Sequence, residues 1–320
     1  MKILIYGAGI IGSTYGWQLS KVSCDITVLV RPEKLQSAIE NGINIQCSDF
    51  RGGQKQTEQV IFRPKIVDKL LPENDFEYII VPTNCIYLKE ILPELKESAG
   101  KAHILFFQNM WDDFDEISNY LSPKQYLFGF PFMVGGGRNE HSINSAISGL
   151  KYSHTPLGEL TGEITPRLQK ITKAMEDANL KPVISDHIKI WLITHYAVAA
   201  GLSAGIMKAG SGKAFVQNPG IIKEAIKAIR EGLSVCTKRG INIKMEKSNK
   251  LYSLPLFLAV PIAKKIYSNE AIQLMFDGHT KHAPEEMKKM FADMIEYGEK
   301  YNVKSPCLRS LQTSIFESTK

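Results

Sequence analysis

Three glycines and one arginine near the start of the chain carry its clearest chemistry. Gly7, Gly9 and Gly12 stand in the run Gly7-Ala8-Gly9-Ile10-Ile11-Gly12, directly after Lys2-Ile3-Leu4-Ile5-Tyr6. The apolar pentapeptide reads as a short buried strand. Residues 13–20 continue as a helix, and 25–30 form a second strand that ends at Arg31. Strand, glycine turn, helix and strand in this order make a dinucleotide-binding βαβ unit. Gly7 permits the tight turn, Gly9 lets a pyrophosphate approach the backbone, and Gly12 brings helix and strand close. The free N–H groups at the helix start, including those of Ala8, Ile10 and Ile11, then face the phosphates. A dinucleotide without a 2′-phosphate is usually met by an acid at the second strand's end. A 2′-phosphate calls for a cation. Here Arg31 occupies that position, with Lys34 three residues on, so the expected cofactor is NADP(H).

The bulk numbers bound the remaining possibilities. At 320 residues, 44% hydrophobic and 22% charged, the chain has the composition of an ordinary globular protein of one or two domains. A net charge of +6, scattered without a run, suits anionic small molecules and argues against nucleic acid. Five cysteines without a C-x-x-C pair imply reduced thiols, a cytoplasmic setting and no zinc site. The seven histidines show no metal-ligand spacing. The start of the chain enters a strand at once, so no signal peptide is expected. The apolar run 251–263 is short and interrupted by Pro255 and Pro261, so no membrane association is expected.

The elements that must position the glycine turn follow in order. Residues 33–41 read as a helix closed by Gly42, and 43–62 as polar strands around Gly52-Gly53. Residues 76–81 form a third parallel-type strand. Pro82 and Thr83 follow it, at the sheet edge where ligands collect, and both are cofactor candidates. Residues 87–98 are helical, 103–107 a buried strand ending at Gln108-Asn109, and 126–133 a further strand. The glycine run 135–137 comes next, and Gly135 is another cofactor candidate. Segments 142–148 and 152–160 read as shorter antiparallel strands, 165–178 as a helix and 182–184 as a last strand. From His187 the period is helical, with long helices marked by Ile222, Ile226, Ile229 and Leu233, and by Met287, Met290 and Met294 after Pro284. The expected fold is α/β: a Rossmann-type doubly wound sheet over 1–184 followed by an all-α domain over 185–320. The tail after Ser314 is expected to fray.

With these residues in view, the chain resembles the ketopantoate reductases over nearly its whole length. The anchors are residues 2–16 (KILIYGAGIIGSTYG), Arg31 in VLVRPEKL, Gln108-Asn109, Gly158-Glu159, Gly162 and Arg167. In the second half they are Asp186, Trp191, Glu286 and Asn302-Val303-Lys304-Ser305-Pro306. The resemblance implies NADPH in the cleft between a Rossmann domain and a helical domain, hydride transfer to a 2-keto acid, and a homodimer. It places Asn109 near nicotinamide and substrate, and Glu286 at the cofactor and substrate site. A carboxylate in a helix's first turn is also favourable on its own.

Several family positions are changed. The proton-donating Lys two residues after the Trp falls on Ile193. Two family Asn positions hold Ala197 and Gly201, a Ser position falls near Leu274, and a Lys after the third strand falls on Pro82. Small apolar residues cannot pair a keto acid's carboxylate. They are expected to leave that helix face roomier, suiting a larger or less charged carbonyl, or an imine. The developing alkoxide still needs a donor. Lys189, one helical turn before Ile193, and Tyr196, on the same face, are the candidates; His187, His195 and Thr194 are weaker. The leading reading is an NADPH-dependent oxidoreductase acting on something other than ketopantoate. A cofactor-binding protein without turnover, and an ordinary ketopantoate reductase with the helix register shifted by a turn, are the alternatives.

Overall fold

The computed structural model describes residues 1–149, 151 and 153–316. The chain divides into two compact units, Met1–Ile188 and Lys189–Lys320. Each has a core of its own, drawn from Ile3, Ile5, Val28, Ile80, Leu105 and Leu127 in the first, and from Phe215, Ile222, Ile226 and Ile229 in the second.

The first unit is built on an eight-stranded sheet. Its centre is β1 (Lys2–Tyr6), flanked by β2 (Asp25–Leu29), and the helix α1 (Ile10–Ser20) connects the two. Apart from Thr27, β1 and β2 are apolar at every buried position because parallel strands are covered on both faces. The helix α2 (Leu35–Asn41) is closed by Gly42, whose φ of +72° ends it cheaply. Next come β3 (Ile43–Asp49) and β4 (Gln56–Phe62), an antiparallel hairpin that turns at Gly52 and Gly53. A short β5 (Lys65–Val67), with no sequence signal of its own, pairs with β2. β6 (Tyr78–Val81), α3 (Leu88–Ser98), β7 (His103–Phe106), α4 (Phe114–Tyr120) and β8 (Tyr126–Gly129) then extend the sheet on the far side of β1.

Two expectations change beyond β8. The glycine run, read only as following the strand 126–133, is itself part of a strand, β9 (Val134–Arg138), which pairs antiparallel with β10 (Ile143–Ile147). Gly136 is required there: at φ +134°, an added Cβ would lie 2.1 Å from the Asn144 carbonyl oxygen. Strands β4-β3-β10-β9 form a separate four-stranded sheet. The expected second antiparallel strand is β11 (Thr155–Gly158), which pairs with β8 in the large sheet; Tyr152, included in the expected strand, lies outside the described residues. The helix α5 (Pro166–Asp177) is capped by Thr165, whose Oγ1 accepts from Leu168 N, and β12 (Pro182–Ile184) completes the sheet in the order β12-β11-β8-β7-β6-β1-β2-β5. Strand order reverses between β1 and β6, which places the ligand crevice at the carboxyl ends of these two strands.

The edge of this sheet is held by a buried ion pair. Arg167 in α5 meets Glu159 at 2.6 Å, and its guanidinium also donates to the Tyr126 carbonyl at 2.9 Å. Thr165 Oγ1 donates to the same Glu159. These sequence anchors therefore tie the β11 end to β8 and α5.

Among the described residues, the second unit contains helices only: α6 (Ile188–Ala209), α7 (Gly212–Gln217), α8 (Pro219–Lys238), α9 (Lys250–Ser253), α10 (Leu256–Tyr267), α11 (Glu270–His282), α12 (Pro284–Lys300) and α13 (Pro306–Phe316). Asn218 caps α8 by accepting from Gly220 N and Ile221 N, with Pro219 in the first turn. Pro255 separates α9 from α10, whereas Pro261 sits inside α10 without ending it. Helix α13 reaches Phe316; the remainder of the expected frayed tail, 317–320, lies outside the described residues.

Candidate functional site

The glycine turn in the first unit has the geometry of a phosphate cradle. Gly7 has φ +112°, and its N–H donates to Ile5 O and Leu29 O, each at 3.1 Å, drawing the β1 and β2 ends together. Gly9 is the N-cap of α1, without a side-chain cap, so the first N–H groups of the helix are left for a ligand. A Cβ on Gly9 would meet nothing within 4 Å, whereas a Cβ on Gly12 would lie 2.5 Å from Gly7 O and 2.8 Å from Ile5 Cγ2. Gly12 is thus a packing glycine and Gly9 an open one. Ala8, Ile10 and Ile11 lie half-buried against the first core. Within α1, the buried Ser13 Oγ has no hydrogen-bond partner among the described residues.

Arg31 and Lys34 bracket a one-turn 3-10 helix, Pro32–Lys34, at the β2 exit, and Lys34 N donates to Arg31 O at 2.8 Å. Both side chains are exposed. Pro82 and Thr83 leave β6 directly against the glycine turn: Pro82 Cγ lies 3.0 Å from a Cβ built on Gly12, and Thr83 Cγ2 3.6 Å from one built on Gly7. Gln108, after β7, donates to Thr83 O at 2.8 Å and to Thr83 Oγ1 at 2.7 Å. Asn109 is 5% exposed, and its Oδ1 is buried without a partner. These residues fit a dinucleotide: open backbone at Gly9, unspent helix N–H groups, and buried polar atoms still lacking partners. Gly135 lies in the edge strand β9, opposite Ala146 of β10.

The second unit places its candidates differently from expectation. Lys189 is exposed at the start of α6. Tyr196 is buried, and its hydroxyl donates to the Asp293 carboxylate on α12. Lys289 Nζ donates to the same carboxylate at 2.6 Å. Glu286 is buried in the first turn of α12, two helical turns from Asp293 along one face. So α12 brings Glu286, Lys289 and Asp293 onto one stripe, and Tyr196 joins it from α6. Asp293 and Lys289 escaped the sequence reading; the signal was their i,i+4 opposite charges on an amphipathic helix. His195 stacks on Trp191, ring centroids 4.8 Å apart, and His187 pairs with Asp186.

The expectation of a roomier face on α6 is overturned. Ile193 and Ala197 are each 1% exposed. A Cβ on Gly201 would lie 2.8 Å from the Ile229 backbone nitrogen, and one on Gly232 would lie 3.3 Å from Ala197 Cβ. The small residues admit α8 at close range, so the space they vacate is filled by helix. Cys236 confirms the dryness of this seam: its thiol approaches Ile193 O at 3.9 Å, and burial pushes it up to about 12.

Among the described residues, no cluster of three His, Cys, Asp or Glu side chains is placed to hold a metal ion. The ketopantoate reductase PanE/ApbA family model matches residues 3–159. An uncharacterized oxidoreductase of Bacillus subtilis, YkpB, is 24% identical over 194 residues, covering 60% of each chain, so the match spans less than two thirds of that relative. A 2-dehydropantoate 2-reductase of Pyrococcus abyssi is 20% identical over 96% of this chain and 94% of its own. Among solved structures, 2-dehydropantoate 2-reductase from Geobacter metallireducens superposes with a TM-score of 0.76 at 14% identity, covering all of both chains. D-mandelate dehydrogenase with NADH and anilino(oxo)acetate superposes with a TM-score of 0.74 at 17% identity, over 99% of this chain and 98% of that one. These likenesses establish the shared fold.

Proposed function

The chain belongs to the ketopantoate reductase family of oxidoreductases, and on that premise we propose that it uses NADPH to reduce a carbonyl or imine substrate other than ketopantoate. One observation carries the cofactor half: an open, uncapped glycine turn at α1 with Arg31, rather than an acid, at the β2 exit. Arg31 offers a planar fork to a 2′-phosphate, and Lys34 adds charge on the same turn. NADPH, when bound, supplies the hydride. Gly7, Gly9 and Gly12 with the first turn of α1 hold the phosphates, Pro82 and Thr83 flank them, and Asn109 and Glu286 are the candidates for the reacting end.

The substrate half rests on what stands where the family places its Lys and Asn. Ile193, Ala197 and Gly201 bring no donor or acceptor side chain, and with that seam packed against α8 they supply nothing to pair ketopantoate's carboxylate. The alkoxide's proton has to come from another side chain. Tyr196 carries a suitable proton, held by Asp293 and backed by Lys289; Lys189 is the alternative. An already protonated imine would need neither. The five cysteines are free thiols, which supports a reducing, cytoplasmic setting. A homodimer is carried over from the family.

A second reading, a dinucleotide-binding protein without turnover, is favoured by one fact: Tyr196's proton already has an acceptor in Asp293. One screen separates the two. Oxidation of NADPH and NADH is followed with ketopantoate, bulkier 2-oxo acids, ketones and imines. The expected result is NADPH turnover with a substrate other than ketopantoate, and loss of the NADPH preference in Arg31→Ala, a change of about tenfold or more, ~1.4 kcal/mol. Brisk ketopantoate turnover would overturn the substrate assignment. Binding without oxidation of any substrate would favour the second reading.

A further inference from the structure

Gln108 is a buried polar side chain at the β7 exit that the cofactor reading leaves without a task. It is 3% exposed, and its amide orientation is fixed by chemistry. Thr83 O is a carbonyl and only accepts, so the group facing it at 2.8 Å is the Gln108 amide nitrogen. That nitrogen has two hydrogens, and the second goes to Thr83 Oγ1 at 2.7 Å. Thr83 Oγ1 is therefore an acceptor toward Gln108, and its own hydrogen has to point elsewhere. Among the described residues nothing accepts it. Thr83 is half-buried and bears on Gly7, while Gln108 lies beneath it in the fold.

We infer that Gln108 is a positioning residue that holds the Thr83 hydroxyl as a donor aimed at the pyrophosphate of a bound dinucleotide. The inference rests on the dinucleotide reading above and extends it to the polarity of one hydroxyl. A hydroxyl can present either a hydrogen or a lone pair, and a phosphate oxygen is met productively by the hydrogen alone. By spending both amide hydrogens on Thr83, Gln108 removes the unproductive choice before the ligand arrives. A second, independent observation points to a ligand here. Gln108 Oε1 and Asn109 Oδ1, on consecutive residues, are both buried acceptors without partners among the described residues. Each such orphan costs about 1–3 kcal/mol when nothing donates to it. Two at the crevice end of one strand are consistent with an edge completed by a bound molecule.

The test is a double-mutant cycle on the full chain, with NADPH affinity read by fluorescence titration. Thr83→Val removes the hydroxyl at constant shape, and Gln108→Met removes the amide. Each is expected to weaken NADPH about tenfold, the scale of one hydrogen bond to a charged group. The double variant is expected to be no weaker than Thr83→Val, because Gln108 acts only through that hydroxyl. Adenosine 2′-monophosphate, which lacks the pyrophosphate, should bind wild type and all variants equally. A Thr83→Val protein that binds NADPH as wild type does, or a Gln108→Met penalty undiminished in the Thr83→Val background, overturns the inference. If Gln108→Met fails to fold, Thr83→Ser against Thr83→Val decides: serine should keep the affinity and valine lose it, and equal affinities overturn the inference. A wild-type protein that binds neither NADPH nor NADH would instead overturn the dinucleotide reading beneath it.

Discussion

Gly9 and Gly12 belong to one motif yet are glycines for opposite reasons. Gly12 is small because the protein itself fills the space, with Gly7 O 2.5 Å from where a Cβ would sit. Gly9 is small although, chain neighbours aside, no described residue lies within 4 Å of that position. Its φ of −76° needs no glycine either. Only a bound molecule gives Gly9 a reason. Gly12→Ala should therefore cost about 1–3 kcal/mol of stability through overpacking. Gly9→Ala should leave urea stability within about 0.5 kcal/mol of wild type while weakening NADPH about tenfold or more, ~1.4 kcal/mol. Parallel urea melts and dinucleotide titrations check the pair; equal behaviour of the two variants contradicts the assignment. This motif was legible from sequence because turn, approach and packing each demand glycine at fixed spacing. The strand through Gly135 was hidden because a glycine run looks the same in a loop and in a strand. The requirement at Gly136 comes from β10, which is distant in sequence, and no local pattern reports it.

The strands of the large sheet were legible as apolar runs, since a strand covered on both faces has little choice of residue. β5 was not: three residues long and half-exposed, it owes its existence to the β2 edge. The close contact of α6 with α8 was also hidden, because small residues mark either an opening or a near approach. The start of β7 carries a consequence for acid stability. His103 lies beside the Tyr78 ring, and its Nδ1 is buried without a partner among the described residues. Burial, then the charge of Arg167, lowers its pKa below the ordinary 6.5. The unfolded chain takes up this proton first as pH falls. The neutral ring's contribution to stability is therefore complete above 6.5 and is lost as pH drops from there toward the lower folded value. His103→Gln should flatten the fall of the urea midpoint between about pH 7.5 and 5.5 relative to wild type. An unchanged slope would assign the acid sensitivity to other groups.

At the scale of the whole chain, two cores imply two cooperative events. The first core draws on residues up to Ile184 and the second on residues from Val198 onward. Unfolding followed by calorimetry should depart from a single two-state transition. NADPH should raise the transition of the first unit through mass action. Gly201→Leu, which drives a side chain into the Ile229 backbone, should lower the other by about 1–3 kcal/mol or more. If this variant lowers NADPH-dependent stabilisation in equal measure, the two events are one.

Helix α6 spans 22 residues and contains an 18-residue window with a mean hydropathy of 1.5, long and apolar enough to cross a bilayer, yet 67% of that window is buried in the folded protein. The helix that packs into its seam, α8, is encoded downstream. During synthesis, then, the ribosome exposes this greasy segment before its cover has been made. For that interval the nascent chain presents what translocation machinery and chaperones are built to bind, and its passage to the native state depends on prompt release from them.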